Sequence, residues 1–122
     1  MKIYLAGPMR GYTNFNFPAF DRAAKRLRAQ GHDVFSPADN DRTTIGSEPP
    51  DNATGDEDQL ARETNYTIND ALAADTTYIC REAKAVALLP GWETSTGAQA
   101  ERALGVALGL TIIILGKEYT HA

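Results

Sequence analysis

Glu101 and Asp75 are the two acidic residues best placed for chemistry. Glu101 lies in Ala98-Gln99-Ala100-Glu101-Arg102-Ala103-Leu104, where most neighbours are small or apolar. Asp75 interrupts a second apolar segment, Leu72-Ala73-Ala74-Asp75-Thr76-Thr77-Tyr78-Ile79. Two carboxylates converging on one site are the usual equipment for glycosyl chemistry through an oxocarbenium-like state. An ionised, partly shielded carboxylate can act as nucleophile or general base. Glu101 falls near a helix start, which is expected to favour its charged form. Plainer readings stand beside these. Glu101 fits a surface glutamate paired with Arg102 or Arg22, and Asp75 fits a cap at a helix break. Spacing alone does not show that the two meet.

Two further stretches suit an anion. Arg10 sits between Gly7 and Gly11 in Gly7-Pro8-Met9-Arg10-Gly11. Glycine lets the backbone come close to a ligand, and an arginine fork suits phosphate or carboxylate. The stretch is neither a GxGxxG fingerprint nor a Walker loop, so no dinucleotide or triphosphate follows from it; a solvated arginine on a turn fits as well. Ser95-Thr96-Gly97 leads into a helix, whose free N–H groups favour an anion while the hydroxyls add donors or simply cap. Tyr4 is the one polar-tipped residue of the first apolar run, and fits either the core or a strand end. Trp92 fits base stacking or ordinary packing. Cys80 is expected to be a small buried hydrophobe. His32, His121 and the acidic run Asp56-Glu57-Asp58 carry no assigned chemistry.

These residues need a scaffold. Ile3–Ala6 reads as a buried parallel strand stopped by Gly7-Pro8. A helix follows from about Asn16 to Gln30, with Pro18 in its first turn and Gly31 past its end. Its inward stripe is Phe20, Ala23, Ala24 and Leu27, leaving Arg22, Lys25, Arg26 and Arg28 wet. Asp33–Ser36 is a second strand. Residues 37–58 are rich in turn formers and read as a long mobile loop, suited to covering a substrate. From Gln59 to Ile79 the pattern is helical, as one long helix or two shorter ones. Ala85–Leu89 is a third strand, Ala98–Leu108 a helix, and Thr111–Leu115 the last strand. This alternation predicts one doubly wound α/β domain of Rossmann or flavodoxin-like type over residues 1–122, with four or five parallel strands. Ligands then bind at the carboxyl ends of the strands, where loops 7–14, 37–58 and 90–97 gather.

Composition narrows the partners. A chain of 122 residues is one ordinary domain. Its net charge of −4 argues against a nucleic-acid polymer as the main ligand. One cysteine and two separated histidines suggest neither a disulfide framework nor a metal site, and no organic cofactor is expected. The longest uncharged stretch, Ala103 to Gly116, is 14 residues with three glycines. That is short of the ~20 a membrane helix needs, and the N-terminal apolar run is too short for a signal peptide. The expectation is a cytoplasmic protein with no membrane partner.

Taken in order, Ile3-Tyr4-Leu5-Ala6-Gly7-Pro8-Met9-Arg10-Gly11, Ala74-Asp75, Leu88-Leu89-Pro90-Gly91-Trp92 and Ser95-Thr96-Gly97-Ala98-Gln99-Ala100-Glu101-Arg102-Ala103-Leu104-Gly105 resemble the nucleoside 2-deoxyribosyltransferase-like superfamily. The nearest subgroup resembles small uncharacterised proteins of bacteria and their phages, related to the 2′-deoxynucleoside 5′-phosphate N-hydrolases. The spacing of Gly97, Glu101 and Gly105 is the most specific part. The resemblance implies that Glu101 is the nucleophile at C1′ of the deoxyribose. It implies that Asp75 supports the sugar and proton transfer to the base, and that Tyr4 orients the glutamate. It further implies that Arg10 and Ser95 hold a 5′-phosphate, with Gly7, Gly11 and Gly97 in the same site. Pro8 stands where those hydrolases carry a serine, residues 37–58 have no clear counterpart, and the tail lacks the asparagine that transferases lend to a neighbouring subunit. Members usually form homodimers or larger assemblies, which the apolar last strand weakly favours. The expected ligand is therefore a small nucleotide or nucleoside and the expected activity cleavage of its base–sugar bond, by hydrolysis or by transfer to a second base.

Two alternatives stay open. Pro90-Gly91 with Thr96-Gly97 and Glu101 loosely resembles the loop of the lysine-decarboxylase-like phosphoribohydrolases. A non-catalytic nucleotide-binding module is the other.

Overall fold

The computed structural model describes residues 1–121. Strand β1 (Lys2–Ala6) runs into a tight loop, a 3-10 turn (Thr13–Asn16) and helix α1 (Phe17–Ala29). Then come β2 (Asp33–Phe35), α2 (Pro37–Ile45), α3 (Glu57–Thr64) and α4 (Ile68–Arg81). The chain closes with β3 (Ala85–Leu88), a 3-10 turn (Trp92–Thr94), α5 (Thr96–Ala107), β4 (Thr111–Ile114) and a last 3-10 turn (Lys117–Tyr119). The sheet has four strands in the order β2-β1-β3-β4, all parallel. The doubly wound α/β fold expected from the alternation is thus the observed one, with four strands rather than five.

Side chains leave β1 alternately to the two faces of the sheet. Ile3 and Leu5 join Phe20, Ala23, Ala24 and Leu27 of α1 in one core layer. Tyr4 and Ala6 face the other layer with Ile79 of α4, Val86 and Leu88 of β3 and Ala98 of α5. This parity places the Tyr4 hydroxyl on the side of the sheet that carries α4 and α5. No helix among the described residues is long and apolar enough to cross a membrane.

The long mobile loop expected over 37–58 is not what the chain forms. Residues 37–45 are α2, with Ser36 at its N-cap, Pro37 in its first turn and Gly46 in the left-handed conformation at its end. Proline at the start and glycine past the end are helix signals, and the weak apolar periodicity of the segment masked them. Ala38 is fully buried under the sheet edge. The rest of the segment is tied to the loop after β1. Gly11 N–H donates to Gly55 O at 3.0 Å and Asn14 N–H to Asn52 O at 2.7 Å, while Asn52 N–H donates to Asn14 Oδ1 at 2.7 Å. Gly55 has φ +62°, and a Cβ there would stand 2.3 Å from Tyr12 O. No other residue allows the two backbones to lie that close. Against this clamp Asn14, Phe15 and Asn16 all adopt positive φ.

The helical stretch after residue 57 is two helices. Asn65 ends α3 in a left-handed turn, and Thr67 with Asp70 forms a capping box that starts α4. Cys80 is exposed rather than buried, because it falls on the outer face of α4, one residue past the inward-facing Ile79.

Candidate active site

Four segments converge at the carboxyl end of β1. The order β2-β1-β3-β4 sends α2 in from the β2 side and the Ser95–Glu101 segment from the β3 side, with α4 closing the wall between them. They enclose a cavity of about 230 Å³, lined among others by Tyr4, Gly7, Arg10, Asp41, Asp75, Ser95, Gly97 and Glu101. That is slightly under the ~300–1,000 Å³ of small-molecule sites, so a nucleotide-sized ligand would reach the open mouth.

The structure brings together the three residues proposed for chemistry. Tyr4 Oη donates to Glu101 Oε2 at 2.5 Å. Tyr4 is fully buried, Glu101 is 6% exposed and Asp75 is 5% exposed. Neither acid takes its plainer role. Asp75 sits in the middle of α4 rather than at its end, and Arg102 lies over the Trp92 ring instead of pairing with Glu101. Asp75 Oδ1 is buried with no hydrogen-bond partner. A buried carboxylate oxygen without a donor is costly.

Burial governs the charge state here. Burial pushes Glu101 up to about 8; the Tyr4 hydrogen bond is the next influence and opposes it, and the Asp75 charge adds a smaller upward push. The ionised form expected from a helix start is therefore not favoured in the free protein. Glu101 is the sixth residue of α5, past the first turn in which the helix dipole acts. Asp75 is pushed up to about 7 by burial and then by the charge of Asp41, with Tyr4 opposing. The Tyr4 hydroxyl itself is pushed well above its ordinary value, by burial first and then by the two acids.

The anion features divide. Ser95 Oγ caps α5 by accepting the Ala98 N–H at 3.2 Å, which leaves its own proton free to donate into the cavity. Gly97 lines the cavity, and a Cβ there would meet nothing within 4 Å. Gly7 also lines it, but its missing Cβ makes room for Leu89, whose Cβ would be 2.8 Å away, rather than for a ligand. Arg10 stands at the mouth with Nε 2.8 Å from Glu57 Oε2. Gly11 does not line the cavity; it is exposed and donates to Gly55, so its part is in the clamp. Pro90, Gly91 and Trp92 lie outside the cavity wall.

Sequence reasoning missed Asp41. It is 7% exposed, lines the cavity from α2, and accepts the Tyr66 hydroxyl at 2.7 Å. Burial pushes its pKa up to about 6, against the Tyr66 hydrogen bond and Arg42. The Ser36-Pro37 start and Gly46 stop were the available signal, since a helix there turns Asp41 inward. No group of three His, Cys, Asp or Glu among the described residues is arranged to hold a metal.

Fold and site together define a parallel α/β domain with a carboxylate-lined cavity at its topological ligand position. The chain belongs to the family described as Domain of unknown function (DUF4406), which it matches over residues 1–114. No curated protein and no solved structure matches it.

Proposed function

We propose that the protein cleaves the base–sugar bond of a 2′-deoxynucleoside 5′-monophosphate, with Glu101 as nucleophile. The observation that carries this reading is the meeting of Tyr4, Glu101 and Asp75, from β1, α5 and α4, in one cavity at the strand ends. The resemblance to the deoxyribosyltransferase-like superfamily supplies the substrate class, and the geometry is compatible with it.

In the reactive state Glu101 is ionised and Asp75 carries the proton, the less populated of the two singly protonated arrangements because Glu101 holds its proton more tightly than Asp75. Glu101 attacks C1′, the C1′–N bond breaks, and Asp75 passes its proton to the departing base. Water then attacks C1′ of the glutamyl ester, giving its proton to Asp75, and deoxyribose 5-phosphate leaves. A second base in place of water would make the reaction a transfer. Tyr4 holds Glu101 in line and stabilises its charge. Burial, and after it the charge of Asp41, lets Asp75 hold its proton up to about neutral pH. Ser95, the N–H groups around Gly97, and Arg10 face the phosphate. The same reading includes a homodimer or larger assembly, supported by the edge position of β4 with Ile114 60% exposed. Light scattering tests that part.

The test of the activity is release of free base from a panel of deoxy- and ribonucleoside 5′-monophosphates and nucleosides. Release from a deoxynucleotide, lost in Glu101→Ala, is the expected result. Silence across the panel, with and without an acceptor base, would sink it.

A further inference from the structure

We infer that Glu57 holds the place of a ligand's anionic group on Arg10, and so tempers the affinity of the cavity mouth for a phosphate without affecting an uncharged hydroxyl. The inference rests on the reading of Arg10 as a phosphate contact. Glu57 is the acidic partner of Arg10 among the described residues, with Oε2 2.8 Å from Nε. The contact is ionic without being a formed hydrogen bond: Glu57 Oε2 is buried and receives no donor. The two terminal nitrogens of Arg10 make no hydrogen bond to the protein among the described residues, and its side chain is 58% exposed at the cavity mouth.

The two partners are held very differently. Glu57 opens α3 directly after the clamp. There Gly11 N–H donates to Gly55 O, and Asn52 Nδ2 and Oδ1 bond the Asp56 carbonyl and N–H at 2.9 Å each. Arg10 hangs from the loop by a flexible stem. An approaching ligand therefore meets an arginine whose charge a fixed carboxylate already cancels. A hydroxyl gains no charge interaction there, and a monoanion only exchanges one ion pair for another. A dianion keeps a net attraction after the exchange. The exchange is easy, because a half-exposed ion pair is worth little. Removing the Glu57 charge while keeping its shape should strengthen binding of an anion at this mouth. For a dianion roughly 6 Å away at the dielectric of water the gain is about tenfold in affinity, falling to about threefold as salt screens it.

The probes are 2-deoxyribose 5-phosphate and 2-deoxyribose, titrated by calorimetry into wild type, Glu57→Gln, Glu57→Ala, Arg10→Ala and the Arg10→Ala/Glu57→Gln double variant. Circular dichroism melting checks that each is folded. The expected result is about three- to tenfold tighter binding of the phosphate by both Glu57 variants, shrinking at high salt because the site is exposed. The uncharged sugar should not respond, and the gain should vanish in the double variant. A purely structural role for Glu57 would weaken or leave unchanged the phosphate affinity, with no salt dependence, and would overturn the inference. So would a gain that survives without Arg10, or no phosphate binding by any of the proteins. The two proposals fail separately. Phosphate binding with this pattern but no base release sinks the N-glycosidase reading alone. Base release with unchanged affinity in Glu57→Gln sinks this one alone.

Discussion

Replacing Glu101 with glutamine should make the protein more stable in alkaline solution. Burial moves the Glu101 pKa from 4.5 to about 8. An acid whose folded-state pKa is raised keeps its proton in the native state after the unfolded chain has lost it, so native stability falls as pH rises between those values. At about 1.4 kcal/mol per pH unit, the fully ionised side chain costs the fold about 5 kcal/mol relative to its protonated form. About 4 kcal/mol of that accrues between about pH 5 and about pH 9. Glutamine has no proton to lose and can still accept the Tyr4 hydroxyl. The variant and wild type should therefore melt within a few degrees of each other at about pH 5. Their curves should then separate, the variant melting higher by about 15 °C near pH 9 for a domain of this size. Asp41 and Asp75 are present in both proteins, so the slope they contribute is largely shared. Scanning calorimetry across pH, checked by urea unfolding at 25 °C, measures the separation. Curves that run parallel, or that converge with rising pH, would refute the argument that burial dominates this carboxyl.

Three other outcomes are expected. The rate of base release should be bell-shaped in pH with its maximum between about 7 and 8, because Asp75 and Glu101 titrate there as a coupled pair and only the state with one proton on Asp75 reacts; a flat profile across this range would contradict it. Tyr4→Phe removes the donor to Glu101, and should lower kcat about 10- to 100-fold while moving the ascending limb of that profile to higher pH. Gly55→Ala cannot keep the backbone contact with Tyr12, so the loop carrying Arg10 should loosen; KM for nucleotides should rise several-fold with kcat nearly unchanged, and hydrogen exchange at Gly11 and Asn14 should quicken.

The sequence carries the alternation of strands and helices in its local pattern, because apolar runs stopped by Gly7-Pro8 and Pro90-Gly91 and the stripe Phe20, Ala23, Ala24, Leu27 show their periods along the chain. It also singled out Glu101, Asp75, Tyr4, Arg10 and Ser95, whose types stand out against apolar or turn-forming neighbours. It failed at α2, where few apolar residues mark a face and only the end signals at Pro37 and Gly46 remain. Asp41 was lost with that helix. Cys80 was misplaced because the phase of a short helix decides exposure, and one residue's rotation is 100°. The charge of Glu101 was misjudged for a different reason. Nearness to a helix start can be read along the chain, but the desolvation that outweighs it depends on what α4 and β1 place around the carboxyl. The meeting of Tyr4, Glu101 and Asp75, and the clamp that sets Glu57 beside Arg10, join residues 26 to 97 positions apart. Only the packing of β1 between β2 and β3, with α4 and α5 on one face, brings those side chains together.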